Sequence, residues 1–184
     1  MLTINPVLPS EEMVDDVKTY LRIEHDDENP LLSSLIAVAI DACEAFCGQL
    51  LVARAVIEER SILGRWEALG VLPVRSITQA IGVEPNGATS LIPVTRYALD
   101  ISADGTGWFR VFDPGTALRV RVTYEAGLAL LWSDLAPALR QGIIRLVGHL
   151  HTNRDGGDDR GPPAAVAALW RPFRQMRLNV ASAA

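Results

Sequence analysis

Turn signals in the middle of the chain constrain its fold most, because they cut residues 52–124 into segments too short for typical helices. The signals are Pro85-Asn86-Gly87, Asp104-Gly105 and Asp113-Pro114-Gly115, and such sequences favour tight turns between strands. Between them lie apolar stretches at residues 76–83, 91–94, 97–101, 108–112 and 118–124. We therefore expect a small antiparallel sheet built from β-hairpins.

The clearest predicted strand covers residues 118–124, where apolar and polar residues alternate. One face would carry Leu118, Val120, Val122 and Tyr124, and the other would carry Arg119, Arg121 and Thr123. This period of two is typical of a strand with one buried and one exposed face.

Helices are predicted on the N-terminal side of the hairpins. Ser10 can cap a first helix, which carries Glu11 and Glu12 in its first turn and ends near Leu21. A second helix would begin at Pro30 and end at Gly48. Its apolar face would carry Leu32, Leu35, Ile36, Ala39, Cys43 and Phe46, opposite Ser33, Ala37, Asp41 and Glu44.

Further helices are predicted after the hairpins, which makes the fold class α+β. One begins near Pro137 and contains Gly142 and Gly148, which indicate a close approach of another element. Residues 156–163, rich in Gly, Pro and Asp, are expected to form a flexible loop. We predict one domain over residues 1–155, then this loop, and then a C-terminal helix and tail over residues 164–184, in which Pro172 kinks or ends the helix.

Composition limits the class of protein. The 184 residues are 49% hydrophobic and 21% charged, as expected for a folded chain rather than a disordered one. We find no secretion signal and no uninterrupted apolar run of membrane-spanning length, so we expect synthesis in the cytoplasm and no membrane partner. The net charge of −5 makes the chain a poor candidate for wrapping nucleic acid.

Charge is distributed unevenly along the chain. Residues 1–50 hold ten acidic side chains against Lys18 and Arg22, whereas residues 135–184 hold seven arginines against three aspartates. An acidic front and a basic back suit contacts between unlike surfaces of neighbouring copies.

Catalytic, cofactor and metal sites are not predicted. Cys43 and Cys47 can supply at most two zinc ligands, so we interpret them as small buried thiols. His149 and His151 would point in different directions from a helix. The chain has neither a nucleophile elbow nor a phosphate-binding loop.

Two charged segments are candidate interaction sites. The acidic stretch Asp26-Asp27-Glu28 is expected to be a solvated linker whose carboxylates can pair with the arginines of a neighbour, with Arg145 and Arg154 as partners. The C-terminal segment is rich in aromatic residues and arginine, the types that dominate interface hot spots: Trp170, Arg171, Phe173, Arg174 and Arg177. The alternative for this segment is a terminal helix folded back on its own core.

Three stretches of the chain resemble the head-tail connector proteins of tailed phages, including the HK97-connector-like adaptors and those of gene transfer agents. These stretches are VKTYLRIEHDDENPLLSSLIAVAIDACEAFCGQLL (residues 17–51), LPVRSITQAIGV (residues 72–83), and VRVTYEAGL (residues 120–128) followed by LAPALRQGIIRLVGHLHTNRD (residues 135–155). The segment LALLWSD, residues 128–134, is more apolar than such proteins usually are there.

The resemblance implies a structural role rather than catalysis. It implies a homo-oligomeric ring of about a dozen copies beneath the portal, with different patches meeting between neighbours. The ring would extend the channel through which DNA passes without specific binding, and it would offer a platform to the next tail or stopper component. By the same analogy, the segment around Trp170 to Arg177 would dock on the portal.

Two other functions remain open from the sequence. One is a different virion assembly protein, such as a tail-completion factor with a similar α+β build. The other is a small enzyme or metal-binding protein.

Overall fold

The structure, a computed structural model, describes residues 1–153 and 161–175. The chain divides into two units. The sheet unit consists of residues 1–7 and 50–131, and the helical unit consists of the described parts of residues 8–49 and 132–184. Helices and antiparallel strands both occur, so the predicted α+β class is confirmed.

The sheet unit contains a five-stranded and a three-stranded antiparallel sheet. The first has the order β1-β2-β8-β4-β5 and the second the order β3-β7-β6. The strands are β1 (Leu2–Ile4), β2 (Arg54–Ser61), β3 (Glu67–Ala68), β4 (Val74–Val83), β5 (Thr89–Leu91), β6 (Tyr97–Ile101), β7 (Gly107–Val111) and β8 (Arg119–Ala126).

Most predicted strands occur, with two differences. The stretch 91–94 does not form one strand, because β5 ends at Leu91 and a 3₁₀ turn occupies Val94–Arg96. Leu118 precedes β8 and is exposed, whereas Val120, Val122 and Tyr124 are buried as predicted. The strands β1, β2 and β3 were not predicted.

The missed strand β2 carries a buried carboxylate. Glu58 lies at an inward position. Its Oε2 accepts a hydrogen bond from the Tyr124 hydroxyl at 2.8 Å and another from the Gly70 amide at 2.8 Å. Arg60 Nε donates to the same carboxylate at 2.5 Å. Burial and the nearby Glu58 charge raise the pKa of the Tyr124 hydroxyl. Hydrogen bonds thus replace the apolar contact that the alternation rule expects at this position.

The helical unit begins with α1 (Glu11–Leu21), whose predicted cap is confirmed by a 3.3 Å hydrogen bond from the Met13 amide to Ser10 Oγ. The remaining helices are α2 (Asn29–Cys47), α3 (Pro137–Thr152) and α4 (Ala164–Trp170). Gly48 ends α2 in the left-handed conformation, as predicted. The predicted polar side of α2 is partly wrong, because Glu44 is buried.

Both helical glycines of α3 lie against aromatic side chains, which confirms the predicted close approach. A Cβ added at Gly142 would overlap with Trp170 Nε1, and one at Gly148 would lie 3.0 Å from Tyr20 Cε1. Trp170 is completely buried at the end of α4, and Pro172 follows in a 3₁₀ turn, Arg171–Phe173. The described part of the C-terminal segment is therefore folded onto its own unit.

Among the described residues, α2 is the one helix that is long and apolar enough to span a membrane, judged by length and composition alone. The core helix of a folded domain passes the same test. One side of α2 is such a core surface, since Leu32, Ile36 and Cys43 are completely buried.

Candidate assembly surfaces

The acidic stretch between α1 and α2 has partners within the chain. Asp26 Oδ1 accepts a hydrogen bond from Lys18 Nζ at 2.6 Å, and this bond holds the pKa of the Asp26 carboxyl below its usual range. Glu28 Oε2 lies 2.8 Å from His151 Nε2. Asp27 is 96% exposed, with the His25 ring 4.0 Å away. Of the three predicted interface acids, Asp27 is the one whose carboxylate is most accessible.

Arg145, the predicted basic interface residue of α3, is exposed. It makes no ion pair with any described residue. No acidic residue occurs in α3, and no basic residue occurs in α2. Arg154 lies outside the described residues.

The predicted docking segment combines one buried anchor with exposed charges. The Trp170 ring centroid lies 5.8 Å from that of Phe46, inside the helical unit. Arg171 and Arg174 are exposed, and the Arg174 guanidinium lies 5.7 Å from the Phe46 centroid, a cation–π geometry. Phe173 is partly buried, and Arg177 lies outside the described residues.

Backbone contacts tie this segment to the C-terminal end of α2. The Gln175 amide donates to the Cys47 carbonyl at 2.8 Å, and Gln49 Nε2 donates to the Phe173 carbonyl at 2.7 Å. The last helical carbonyls usually lack partners, so the segment also caps α2. Arg171 and Arg174 are thereby held at a fixed place on the helical unit.

The cysteines and histidines have structural surroundings. Cys43 and Cys47 are free and buried, with their Sγ atoms 4.0 Å apart, as the interpretation as buried thiols predicted. The hydrogen bond with Cys47 and burial raise the pKa of the Cys43 thiol. His149 Nδ1 lies 3.1 Å from Asn153 Nδ2, whereas His151 contacts Glu28. In the described residues, no cluster of three or more Cys, His or acidic side chains could hold a metal.

The sheet unit offers a surface of a different kind. Beside the edge strand β5 lies an open groove of about 420 Å³, lined by residues that include Thr78, Leu91, Val94 and Tyr97. On the five-stranded sheet, Glu59 pairs with Arg119 and Arg121, and the bond from Arg121 lowers the pKa of the Glu59 carboxyl.

One exposed face of α2 could not be identified from the sequence. Leu31 is 38% exposed and Val38 is 54% exposed, and Asp41 lies beside them on the solvent side. An apolar helical pattern does not separate core residues from interface residues, because both kinds are apolar.

Comparisons with known proteins agree with this architecture. Residues 11–94 match the model of the phage gp6-like head-tail connector protein family. This match confirms the resemblance to head-tail connectors, a family of structural virion proteins, that the sequence predicted. No curated protein matches the chain significantly.

Solved structures share the fold over nearly the whole chain. A chain from the neck of an empty gene transfer agent (GTA) particle, computed with C6 symmetry, matches with a TM-score of 0.77. Chains from the virion of a native GTA particle and from a native GTA neck computed with C12 symmetry match with TM-scores of 0.75 and 0.74. All three are 22% identical to this chain, and each match covers 97% of both chains.

Proposed function

We propose that this chain is a structural head-tail connector, an adaptor that joins head to tail in a phage or gene transfer agent particle. The observation that carries the proposal is the connector-family match, supported by a fold shared over 97% of the chain with a protein of a GTA neck. In this role the chain forms a ring beneath the portal, extends the DNA channel and receives the next tail or stopper component. It needs no catalytic group or cofactor for this work.

Charge separation within the helical unit supports assembly into a ring. The helices α1 and α2 together hold one basic residue, Lys18, whereas α3 and α4 hold no acidic residue. Contacts between unlike patches generate a closed ring when the rotation between subunits closes. Asp27 and Arg145 are exposed candidates for such contacts.

The exposed arginines after α4 support portal docking. Arg171 and Arg174 project from a segment that is anchored by Trp170, so the guanidinium groups are presented without ordering a loose peptide. Deleting residues 164–184 would also remove the Trp170 anchor. The sharper test of docking is Arg171→Glu with Arg174→Glu, which leaves Trp170 in place.

Portal binding by this double variant should fall in a pull-down with purified portal protein, while its thermal unfolding stays near that of the parent. Arg75→Glu is a matched control, because Arg75 is an exposed arginine of the sheet unit. Undiminished portal binding by the double variant would remove this docking site.

Exposed carboxylates on α1 support passage of DNA without binding. Glu11, Glu12 and Asp15 are all exposed, and like charge repels phosphate. We expect the assembled protein to show no measurable affinity for duplex DNA at physiological salt, as read by fluorescence anisotropy.

The function itself is tested by electron microscopy of particles from cells that lack this gene. Filled or leaking heads and separate tails are expected, with joined particles restored by a copy of the gene. Normal joined particles in the deletion strain would overturn the connector proposal.

A further inference from the structure

The solvent side of α2 carries an apolar stripe beside the exposed polar residues Ser34 and Asp41. At about 100° per residue, Leu31, Leu35, Val38, Ala42 and Ala45 fall on one side, opposite the completely buried Leu32, Ile36 and Ile40. Leu31 and Val38 are 38% and 54% exposed, and Ala45 is exposed as well. We call these five residues the α2 outer face.

An apolar stripe that a folded chain leaves exposed is typical of a contact with another molecule. One side of α2 is buried by the helical unit itself, and no described residue buries the outer face to the same degree. Asp41 borders the outer face, is exposed, and makes no ion pair with a described residue. A surface of this kind, with an apolar centre and a charge at its rim, has the composition of a protein interface.

The solvent side of α3 has the complementary charge. Ala138, Gln141, Arg145 and His149 form a narrow stripe on α3 between the buried glycines Gly142 and Gly148; Arg145 is exposed and the other three are half-buried. We call these four residues the α3 outer face. Arg145, at its centre, is exposed and without a described ion-pair partner, as Asp41 is on α2.

We propose that the α2 outer face of one copy packs against the α3 outer face of the next copy, with Asp41 of one paired to Arg145 of the other. Within one chain, α2 and α3 contact each other, yet Asp41 and Arg145 are both exposed and make no ion pair with each other. An Asp41–Arg145 pair would therefore join two copies. The two faces differ, so the contact is heterologous and can repeat around a ring. This inference rests on the proposed connector function and names the subunit contact of that ring.

The test is charge reversal in particles, with the variant gene supplied to the deletion strain. Asp41→Arg and Arg145→Glu each place like charges together, so each should lower the yield of joined particles by about tenfold or more. The double variant restores an opposite pair, and its yield should return to within about threefold of the parent. Asp100→Arg is the matched control, because Asp100 is an exposed aspartate on β6, and it should leave the yield unchanged.

Folding is checked separately, since each reversal changes an exposed side chain with no described ion-pair partner. Purified single variants should unfold at the same temperature as the parent. Single variants that unfold normally and join particles normally would overturn the pairing, and so would a double variant as defective as the singles.

Cross-linking gives an independent measurement. Val38→Cys combined with Gln141→Cys should form a ladder of linked copies when particles are oxidised, because the native Cys43 and Cys47 are buried. Either cysteine alone is the control and should give no ladder beyond dimers. A double variant that assembles normally without a ladder would overturn the contact. Flotation with lipid vesicles is a second check: if the purified parent floats with the vesicles, the α2 outer face binds a membrane and the contact is overturned.

The deletion strain separates the two proposals. Normal particles without the gene would remove the connector function, and with it the ring contact. Defective particles rescued equally by the parent and all three charge variants would leave the connector function standing and remove only the contact between α2 and α3.

Discussion

The sheet unit and the helical unit use their charged residues differently. On the sheet unit, three carboxylates pair with arginines of the same unit: Glu59 with Arg119 and Arg121, Glu58 with Arg60, and Asp113 with Arg96. On the helical unit, Lys18 pairs with Asp26, but Asp41 and Arg145 are exposed without a described ion-pair partner. The paired charges of the sheet unit contribute to its own stability, whereas Asp41 and Arg145 of the helical unit are available for assembly.

The cores of the sheet unit and the helical unit also differ in the kind of residue that they contain. The sheet core includes a carboxylate with three hydrogen-bond donors, which demands a particular arrangement of neighbours. The helical core includes one large completely buried side chain, Trp170, which lies against a glycine of α3. Substitutions can therefore test whether packing stabilises the helical unit and whether a polar network contributes to the stability of the sheet unit.

The largest effect is expected from Trp170→Ala. Removing a completely buried tryptophan leaves a large cavity, and such changes cost about 3–5 kcal/mol. The free energy of unfolding, measured by urea denaturation followed by circular dichroism, should fall by this amount. A loss below about 1 kcal/mol would show that the C-terminal segment contributes little to the helical core, and would revive a detachable docking peptide.

Gly142→Ala should destabilise the parent, but not a chain that lacks the tryptophan. The added Cβ would overlap with Trp170 Nε1, and overpacking of this kind costs about 1–3 kcal/mol. In the Trp170→Ala background the same change should be neutral or stabilise by up to about 1 kcal/mol, because alanine is the better helix former. Additive effects in the double-mutant cycle, again read from urea denaturation, would contradict the direct contact.

In the sheet unit, Glu58→Ala should cost more than Tyr124→Phe. The first change leaves the Gly70 amide and the Tyr124 hydroxyl without their acceptor, and buried unpaired groups cost about 1–3 kcal/mol. The second leaves Glu58 with Gly70 and Arg60 but removes the hydroxyl that accepts from the Val71 amide at 3.2 Å, so we expect a smaller loss of about 1–2 kcal/mol. Equal losses in thermal or urea unfolding would mean that the tyrosine, rather than the carboxylate, organises the network.

Sequence patterns predicted the parts of the fold that follow simple periodicity. The cap at Ser10, the stop at Gly48 and the buried side of β8 occur as expected, because each depends on a few adjacent residues. Strand β2 was missed because Glu58 occupies a core position that is satisfied by donors distant in sequence. The role of Trp170 stayed open until the fold placed it against Gly142.

The candidate interface was harder to predict than the fold. The acids Asp26 and Glu28 were predicted to be available to a neighbour, yet Lys18 and His151 of the same chain contact them. Asp41 was assigned to the polar side of α2, but its neighbours Leu31 and Val38 were not recognised as exposed. Which apolar and charged groups remain accessible depends on tertiary contacts, and no local pattern encodes those contacts.

The smallest effect is expected from breaking the surface pair on the sheet. Arg121→Ala removes the bond that lowers the pKa of Glu59, and partly exposed ion pairs contribute at most about 1 kcal/mol. A lowered carboxyl pKa stabilises the fold above the ordinary value of 4.5 and loses this contribution as pH falls below it. The parent and the variant should therefore differ in urea denaturation at neutral pH and low salt, and converge in acid or at high salt. Arg75→Ala is the control, because the Arg75 side chain bonds only to a backbone carbonyl among the described contacts. This variant should show no such pH dependence. A difference that persists in acid would indicate that Arg121 acts through packing of its stem against the sheet, and would weaken the view that the sheet unit uses its surface charges for its own stability.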